Sequence, residues 1–155
     1  DLVYFSCLPW VDLTALTNER DLAAPGAKQA VVEDRRGLTV LVRNAMFRRV
    51  QLMDLDKPDE LGALDKDWGY GVHEWEDTLD DYYDEHEYVN IDAKARSGEL
   101  FILDESKENS EHSWKVRQII DDSDGDHDWA ITGTVDLDTT QSSGEVVFFD
   151  YSVSN

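Results

Sequence analysis

The spacing of apolar residues changes at about residue 90 of the chain. Before that point, apolar side chains recur every three to four positions, which is the period of an amphipathic helix. This pattern predicts a long helix with an apolar stripe from Leu38 to Met53, a short helix over Pro58–Leu64 and a third helix from Val72 to Tyr88. Proline fits the start of the second helix, because the first helical residue needs no N–H donor.

After that point, apolar and polar residues alternate, and aromatic and β-branched residues become frequent, as is typical of strands. Hairpin connections are predicted at residues 107–113, at the Asp-Gly pair within residues 121–126 and at residues 141–144. Gly133 predicts a bend in the third strand. The predicted strands are Leu100–Leu103, Trp114–Ile120, Asp128–Leu137 and Glu145–Val153. The residues expected to face inward on the last two strands are Trp129, Ile131, Val135 and Leu137, then Val147, Phe149, Tyr151 and Val153.

Helices followed by an antiparallel meander predict an α+β fold, with N-terminal helices packed on a curved antiparallel sheet. The order of elements resembles the cone-shaped nuclear transport factor 2-like (SnoaL-like) architecture. The stretch Ala23–Lys28 contains Pro and Gly and predicts a linker. We therefore expect a helical lead-in segment and linker over residues 1–30, and the α+β domain over residues 31–155.

Acidic residues outnumber basic ones and are unevenly placed. The chain has 35 Asp and Glu against 14 Lys and Arg, and its formal net charge is −21. Residues 1–53 hold seven basic and six acidic residues, whereas residues 54–155 hold seven and 29. A surface of this sign repels phosphate backbones, so direct nucleic-acid binding by the chain is disfavoured.

The positive charge is concentrated on the first predicted helix, at Arg35, Arg36, Arg43, Arg48 and Arg49. These side chains either pair with the acidic remainder of the same protein or contact RNA or an acidic partner. In the second case, Arg43, Arg48 and Arg49 would form a docking face.

The third predicted helix carries an aromatic stripe that ends at His86. In a cone-shaped fold this stripe would roof a small-molecule pocket, with His86 as general base because histidine titrates near neutral pH. The alternative is a core histidine with a satisfied hydrogen bond. The candidate pocket residues are Trp75, Tyr82, Tyr83, His86, Arg117 and Trp129.

Residues 122–128 read Asp122-x-Asp124-Gly125-Asp126-x-Asp128. An EF-hand calcium loop needs glycine at its sixth position and glutamate at its twelfth, whereas here glycine is fourth. The spacing therefore favours a solvated hairpin turn over a weak cation site. The histidines lack zinc-ligand spacing, and the sequence has no phosphate loop, nucleophile elbow or dinucleotide-binding glycine pattern. We expect no metal, no cofactor and no ATP hydrolysis by the chain alone.

The single cysteine, Cys7, excludes an internal disulfide, and its apolar neighbours predict a buried thiol. The apolar run from Leu2 to Val11 is too short for a membrane span and lacks a basic leader, so we expect neither a span nor a signal peptide. These features predict a cytoplasmic protein, and the missing initial Met predicts a fragment or a processed piece.

Several longer strings are more specific than these short motifs. They occur in order and with compatible spacing, and together they resemble the C-terminal domain of unknown function of actinobacterial-type DEAD/DEAH-box (superfamily 2) helicases over residues 38–153. The strings are LVRNAMFRRV at 41–50, DELGALD at 59–65, WG at 68–69, YYDEH at 82–86, WKVRQIIDD at 114–122 and GDHDW at 125–129.

This resemblance implies a helicase context in which other domains handle ATP, and it supplies no catalytic residues. We therefore predict a non-catalytic accessory or interaction domain of a bacterial superfamily 2 helicase. Its expected partner is the helicase motor domains in cis, or another protein. The alternative is a SnoaL-like small-molecule binding or enzymatic pocket with His86 as general base.

Overall fold

The computed structural model describes residues 35–155. The predicted lead-in segment and linker over residues 1–30, and Cys7, lie outside the described residues. Residues 35–155 form five α-helices and one four-stranded antiparallel sheet. The helices are α1 (Arg35–Asp54), α2 (Pro58–Asp65), α3 (Val72–Glu85), α4 (Glu108–Glu111) and α5 (Leu137–Ser143). The strands are β1 (Phe101–Asp104), β2 (Ser113–Ile119), β3 (Ala130–Asp136) and β4 (Phe148–Ser154), and short 3₁₀ turns occupy Lys66–Trp68 and Gly98–Leu100.

The four strands form a meander in the order β1-β2-β3-β4, so each strand pairs with its neighbour in sequence. Leu103 of β1 lies opposite Val116 of β2, which in turn lies opposite Gly133 of β3. Helices and sheet share one apolar core. The α+β class predicted from the sequence is confirmed.

The core joins the helical layer to the sheet. Helix α1 contributes Val42, Met46 and Met53, and α3 contributes Trp75 and Tyr82, all fully buried. Burying one large apolar side chain contributes about 1.5–3 kcal/mol, so these residues fix α3 firmly against its neighbours. None of the helices that residues 35–155 form combines the length and the apolarity needed to cross a membrane.

Helix α3 ends earlier than its sequence pattern predicts. Its last residue is Glu85, and His86 follows in an extended conformation. Tyr88, which the pattern includes in the helix, is 48% exposed. The chain then runs beside the β2–β3 connection, where Val89 forms an isolated antiparallel bridge with Asp122.

Strand β4 corrects the predicted alternation. The sequence pattern places Phe149 inward, but its side chain is 42% exposed and Phe148 is buried instead. The register between β3 and β4 shifts around Gly133, and Asp150 adopts a positive φ of 49°. Such a bulge moves one residue out of the alternation, which turns Phe149 outward. Gly133 fits this place because a Cβ there would lie 3.1 Å from the Tyr151 ring, and the predicted bend is confirmed.

Two short helices stand where the sequence pattern predicts only hairpin connections. Helix α4 lies between β1 and β2, and α5 lies between β3 and β4. Asp136 caps α5, since its carboxylate accepts a hydrogen bond from the Thr139 N–H, and Gly144 ends the helix with a φ of 79°. Both are ordinary helix-end signals, but they enclose only seven residues.

Candidate functional site

Four of the six predicted pocket residues are buried in the core. Trp75 and Tyr82 are fully buried, Trp129 is 3% exposed and His86 is 4% exposed. The Tyr82 ring centroid lies 5.6 Å from that of Trp129 and 5.2 Å from that of His86. Aromatic side chains therefore fill the space beside the histidine ring.

Of the other two predicted pocket residues, Tyr83 contacts this group, since its ring centroid lies 5.1 Å from that of Tyr82, whereas Arg117 does not. Tyr83 donates its hydroxyl hydrogen to the Met53 carbonyl oxygen, and burial raises the pKa of Tyr83 to about 12. Arg117 is exposed and alternates along β2 with the buried Val116 and Gln118, so it lies on the sheet face opposite the core. The sheet thus separates Arg117 from the other predicted pocket residues.

Arg117 instead lines a groove of about 340 Å³ on that outer sheet face. Lys115 lies two residues before it on the same strand, and Ile102 adds an apolar wall that is 48% exposed. Asp104 and Asp150 line the same groove, so its charges are mixed. The groove offers contacts of several kinds and no arrangement specific for one ligand.

His86 lies where α3 meets the β2–β3 connection, and carboxylates face both of its ring nitrogens. Nδ1 is 2.7 Å from an Asp124 oxygen and 3.6 Å from an Asp122 oxygen, and Nε2 is 3.3 Å from an Asp128 oxygen. The His86 side chain is 2% exposed. A neutral imidazole has a single N–H, so acceptors at both nitrogens require the doubly protonated ring. We refer to these four residues as the His86 cluster.

The surroundings of His86 favour the charged ring. Burial lowers its pKa, but the hydrogen bond to Asp124, the charge of Asp122 and the contact with Asp128 raise it, and the resulting pKa is above 6.5. The ring also follows the C-terminal end of α3, where the helix dipole favours a cation. In its doubly protonated form, His86 has no lone pair with which to act as a general base.

Asp122 shapes the loop that carries these carboxylates. Its side chain accepts hydrogen bonds from the backbone N–H groups of Asp124, Asp126 and His127, at 2.9, 3.0 and 2.7 Å. Burial raises the Asp122 pKa, but these backbone hydrogen bonds and the neighbouring histidine lower it more, so the resulting pKa is below 3.8. Gly125 adopts a φ of 75°, which confirms the predicted Asp-Gly turn.

Further hydrogen bonds tie the same loop to α3 and the segment that follows it. The Glu87 N–H donates to the Ser123 hydroxyl oxygen over 2.8 Å, and the Trp129 indole N–H donates to the Glu85 carboxylate over 3.1 Å. The histidine contacts therefore belong to a wider interface between the helix end and the loop.

Two sets of side chains bring potential ligand atoms within 4.8 Å of one another. The sets are His86, Asp122, Asp124 and Asp126, and Glu85, His86 and Asp128. The shortest contact, from His86 to Asp124, has the length of a hydrogen bond, and the Asp122 carboxylate already accepts three backbone N–H groups. We therefore interpret both sets as hydrogen-bonded ion pairs. The expectation that the chain lacks a metal site stays a prediction.

The three arginines predicted to form a docking face differ in exposure. Arg48 is exposed, and its guanidinium lies 3.9 Å from the Glu60 carboxylate. Arg43 is half-buried and donates a hydrogen bond to the Arg96 carbonyl oxygen. Arg49 is 6% exposed and does not reach the surface. Of the predicted face, only Arg48 and part of Arg43 are open to a partner.

Arg49 belongs instead to a buried cluster around Asp65. The fully buried Asp65 carboxylate accepts five hydrogen bonds of 2.8–3.2 Å. The donors are two guanidinium nitrogens of Arg49, the indole nitrogens of Trp68 and Trp75, and the Tyr151 hydroxyl. This Asp65 cluster joins α1, α2, α3 and β4, and the distance of its members along the chain hides it from the sequence.

These observations define an α+β domain with two buried ionic clusters. The chain belongs to a family described as a domain of unknown function (DUF3516), whose family model matches residues 9–153. No curated protein and no solved structure matches the chain. The family match confirms the domain-of-unknown-function part of the predicted resemblance, and its description names no activity.

Proposed function

We propose that the chain is a non-catalytic accessory or interaction domain of a bacterial superfamily 2 helicase. The strings over residues 38–153 and the family match over residues 9–153 support this assignment. A cone-shaped, nuclear transport factor 2-like arrangement and a cytoplasmic location are part of the same proposal. Its expected partner is the motor part of the helicase in cis, or a protein bound to it.

The packing around His86 carries the non-catalytic part of the proposal. A small-molecule site needs free volume lined by a few unengaged polar groups, and a general base needs a free lone pair. Here Tyr82 and Trp129 occupy the adjacent volume, and both ring nitrogens of the histidine face carboxylates. These contacts argue against the alternative of an enzymatic pocket.

The proposed contact with the motor uses the exposed arginines of α1. Arg48 and its pairing partner Glu60 are exposed by 54% and 53%, so the pair can exchange for one with an acidic group of the partner. Arg36, also exposed, lies near the start of the same helix. Nucleic acid is a poorer partner because residues 54–155 hold 29 acidic residues against seven basic ones.

The test is a binding titration of the chain with a purified actinobacterial superfamily 2 helicase core, by biolayer interferometry at low and physiological salt. Combining Arg36→Glu with Arg48→Glu leaves the hydrogen bond of Arg43 in place. This double variant should weaken binding by about fivefold or more, since each exposed ion pair contributes up to about 1 kcal/mol. The effect should shrink as salt rises.

The control is Arg117→Glu, which makes one such charge reversal, half the change of the double variant, on the outer sheet face. Unchanged affinity for the control, together with weaker binding of the double variant, supports docking through α1. A loss confined to Arg117→Glu would contradict docking through α1 and move the contact to the sheet groove. No binding of the unmodified chain even at low salt would contradict the proposal itself.

A further inference from the structure

We propose that His86 is a proton-dependent clamp that holds the β2–β3 connection against the end of α3 while its ring carries two protons. Loss of one proton releases the connection. The inference does not depend on the helicase assignment, because it rests on contacts within the described residues alone.

The clamp has a rigid side and a side that can open. The histidine follows α3 directly, and its backbone N–H still donates to the Tyr82 carbonyl oxygen over 2.8 Å, so the ring is anchored to the helix. On the loop side, Asp124 and Asp128 have side chains exposed by 57% and 45%. These two carboxylates can turn to water once the histidine no longer attracts them.

Carboxylates surround His86 from every element packed against it. Glu85 precedes it on α3, and Glu87 follows it. The loop contributes five acidic residues, while Tyr82 and Trp129 present neutral rings. The loop carboxylates are Asp121, Asp122, Asp124, Asp126 and Asp128, of which Asp121 lies 2.8 Å from the His127 ring. Asp122, Asp124 and Asp128 each form an ion pair with His86, so its charge offsets the repulsion among these three carboxylates.

Deprotonation of His86 affects the contacts between the loop and the helix end, and not the turn of the loop itself. A neutral ring donates a single hydrogen bond, so at least one carboxylate loses its donor, and the remaining negative charges repel one another. Asp122 keeps its three backbone N–H donors, so the turn of the loop persists. What is lost is the attachment of the loop to the helix end.

The direction of the pH dependence follows from the pKa shifts of His86 and Asp122. Because the His86 pKa in the folded protein lies above 6.5, the clamp is complete below about that value and weakens as pH rises through the folded pKa. The Asp122 pKa lies below 3.8, so its hydrogen bonds to the loop persist above that value and fail as pH falls further. The clamp is therefore closed in weakly acidic solution and opens as the pH rises through the folded pKa of His86.

The test follows the ring nitrogens of His86 by nitrogen-15 NMR while amide hydrogen exchange reports the attachment. The Glu87 and Asn90 amides donate across the interface, to Ser123 and to the Asp121 carbonyl oxygen. Their protection factors should fall by at most about tenfold for each pH unit between 6.5 and the folded pKa of His86, and should level off above it. The amides that Asp122 holds within the loop should change far less, which separates release of the loop from unfolding.

Two variants complete the experiment. His86→Gln should make protection at Glu87 and Asn90 low and independent of pH. His73→Gln should behave like the unmodified chain, because the His73 side chain is 95% exposed. The ring resonances of His127 are followed in parallel, so that its titration is told apart from that of His86.

A third pair of variants keeps the proposal testable if His86→Gln does not fold. Asp124→Asn should lower the pH at which protection falls, and Asp84→Asn, which removes an exposed charge from α3, should not. A ring with one proton at pH 6.5, or protection that does not vary with pH, would overturn the clamp. So would Ca²⁺ or Zn²⁺ that shifts the His86 resonances and restores protection in alkaline solution, because that result assigns the cluster to a cation.

Discussion

The two buried ionic clusters of this domain are made of similar groups in opposite proportions. In the Asp65 cluster one carboxylate is surrounded by donors, of which one is the guanidinium of Arg49 and the others are neutral. In the His86 cluster one cation is surrounded by carboxylates. In the Asp65 cluster, several donor side chains share one carboxylate. In the His86 cluster, several carboxylates share one donor side chain.

This difference predicts that the two clusters respond differently to pH and open at different stages of unfolding. The donors of the Asp65 cluster include no histidine, the residue that titrates near neutral pH, so its hydrogen bonds should persist through weakly acidic and mildly alkaline solution. It also joins four elements across the core, which places it in the unit that unfolds last. The His86 cluster joins a helix end to a loop and depends on a group that titrates, so it should open locally and earlier.

The largest effect is expected from Asp65→Asn. The change leaves the buried Arg49 guanidinium without a counter-charge and sets an amide N–H₂ among donors. Removing one partner of a buried ion pair costs about 3–5 kcal/mol. Urea denaturation followed by circular dichroism measures this loss, and Asp67→Asn is the control because Asp67 is exposed in the 3₁₀ turn that follows α2. Equal stability of the two variants would contradict the role assigned to the Asp65 cluster.

A smaller loss is expected from Tyr151→Phe, which removes one hydroxyl donor and keeps the ring. The hydroxyl lies 2.8 Å from the Asp65 carboxylate, and a hydrogen bond to a charged group contributes about 1.5–3 kcal/mol. Because the donors of this cluster include no histidine, the loss should be the same in weakly acidic and mildly alkaline solution. Thermal unfolding across that pH range tests this difference between the clusters. A loss of stability that varied with pH would show that the Asp65 cluster depends on pH as the His86 cluster does.

The smallest effect is expected from Glu60→Gln. Its ion pair with Arg48 spans 3.9 Å between side chains that are both more than half exposed. The change in the free energy of unfolding should stay within about 0.5 kcal/mol. This variant gives the baseline against which the buried clusters are compared, and a loss as large as that of Tyr151→Phe would show that burial does not decide the difference.

Local periodicity was sufficient to predict most of the described elements. The three main helices and the four strands appear close to their predicted places, because apolar spacing and a proline act within a few residues. The bend at Gly133 is local as well. Phe149 was assigned to the wrong face, since a bulge opposite β3 breaks the alternation and no pattern within β4 shows it.

The clusters could not be predicted in the same way. Asp65 shares a helix face with the buried Leu61 four residues before it, which is the one local sign of its position. Its partner Tyr151 is 86 residues away. His86 and Asp124 are 38 residues apart, and their contact depends on how the meander places its second connection against α3. Contacts between side chains that are far apart in the sequence depend on the topology of the fold. The spacing of apolar residues does not specify that topology.

The tryptophans give each cluster its own spectroscopic reporter. Trp68 and Trp75 donate their indole hydrogens to Asp65, while Trp129 donates its indole hydrogen to Glu85 beside the histidine. The indole N–H signals of one two-dimensional NMR spectrum therefore report on both regions, without any label attached to the protein. Loss of the Trp129 signal alone would reveal the loop moving while the rest of the domain stays folded.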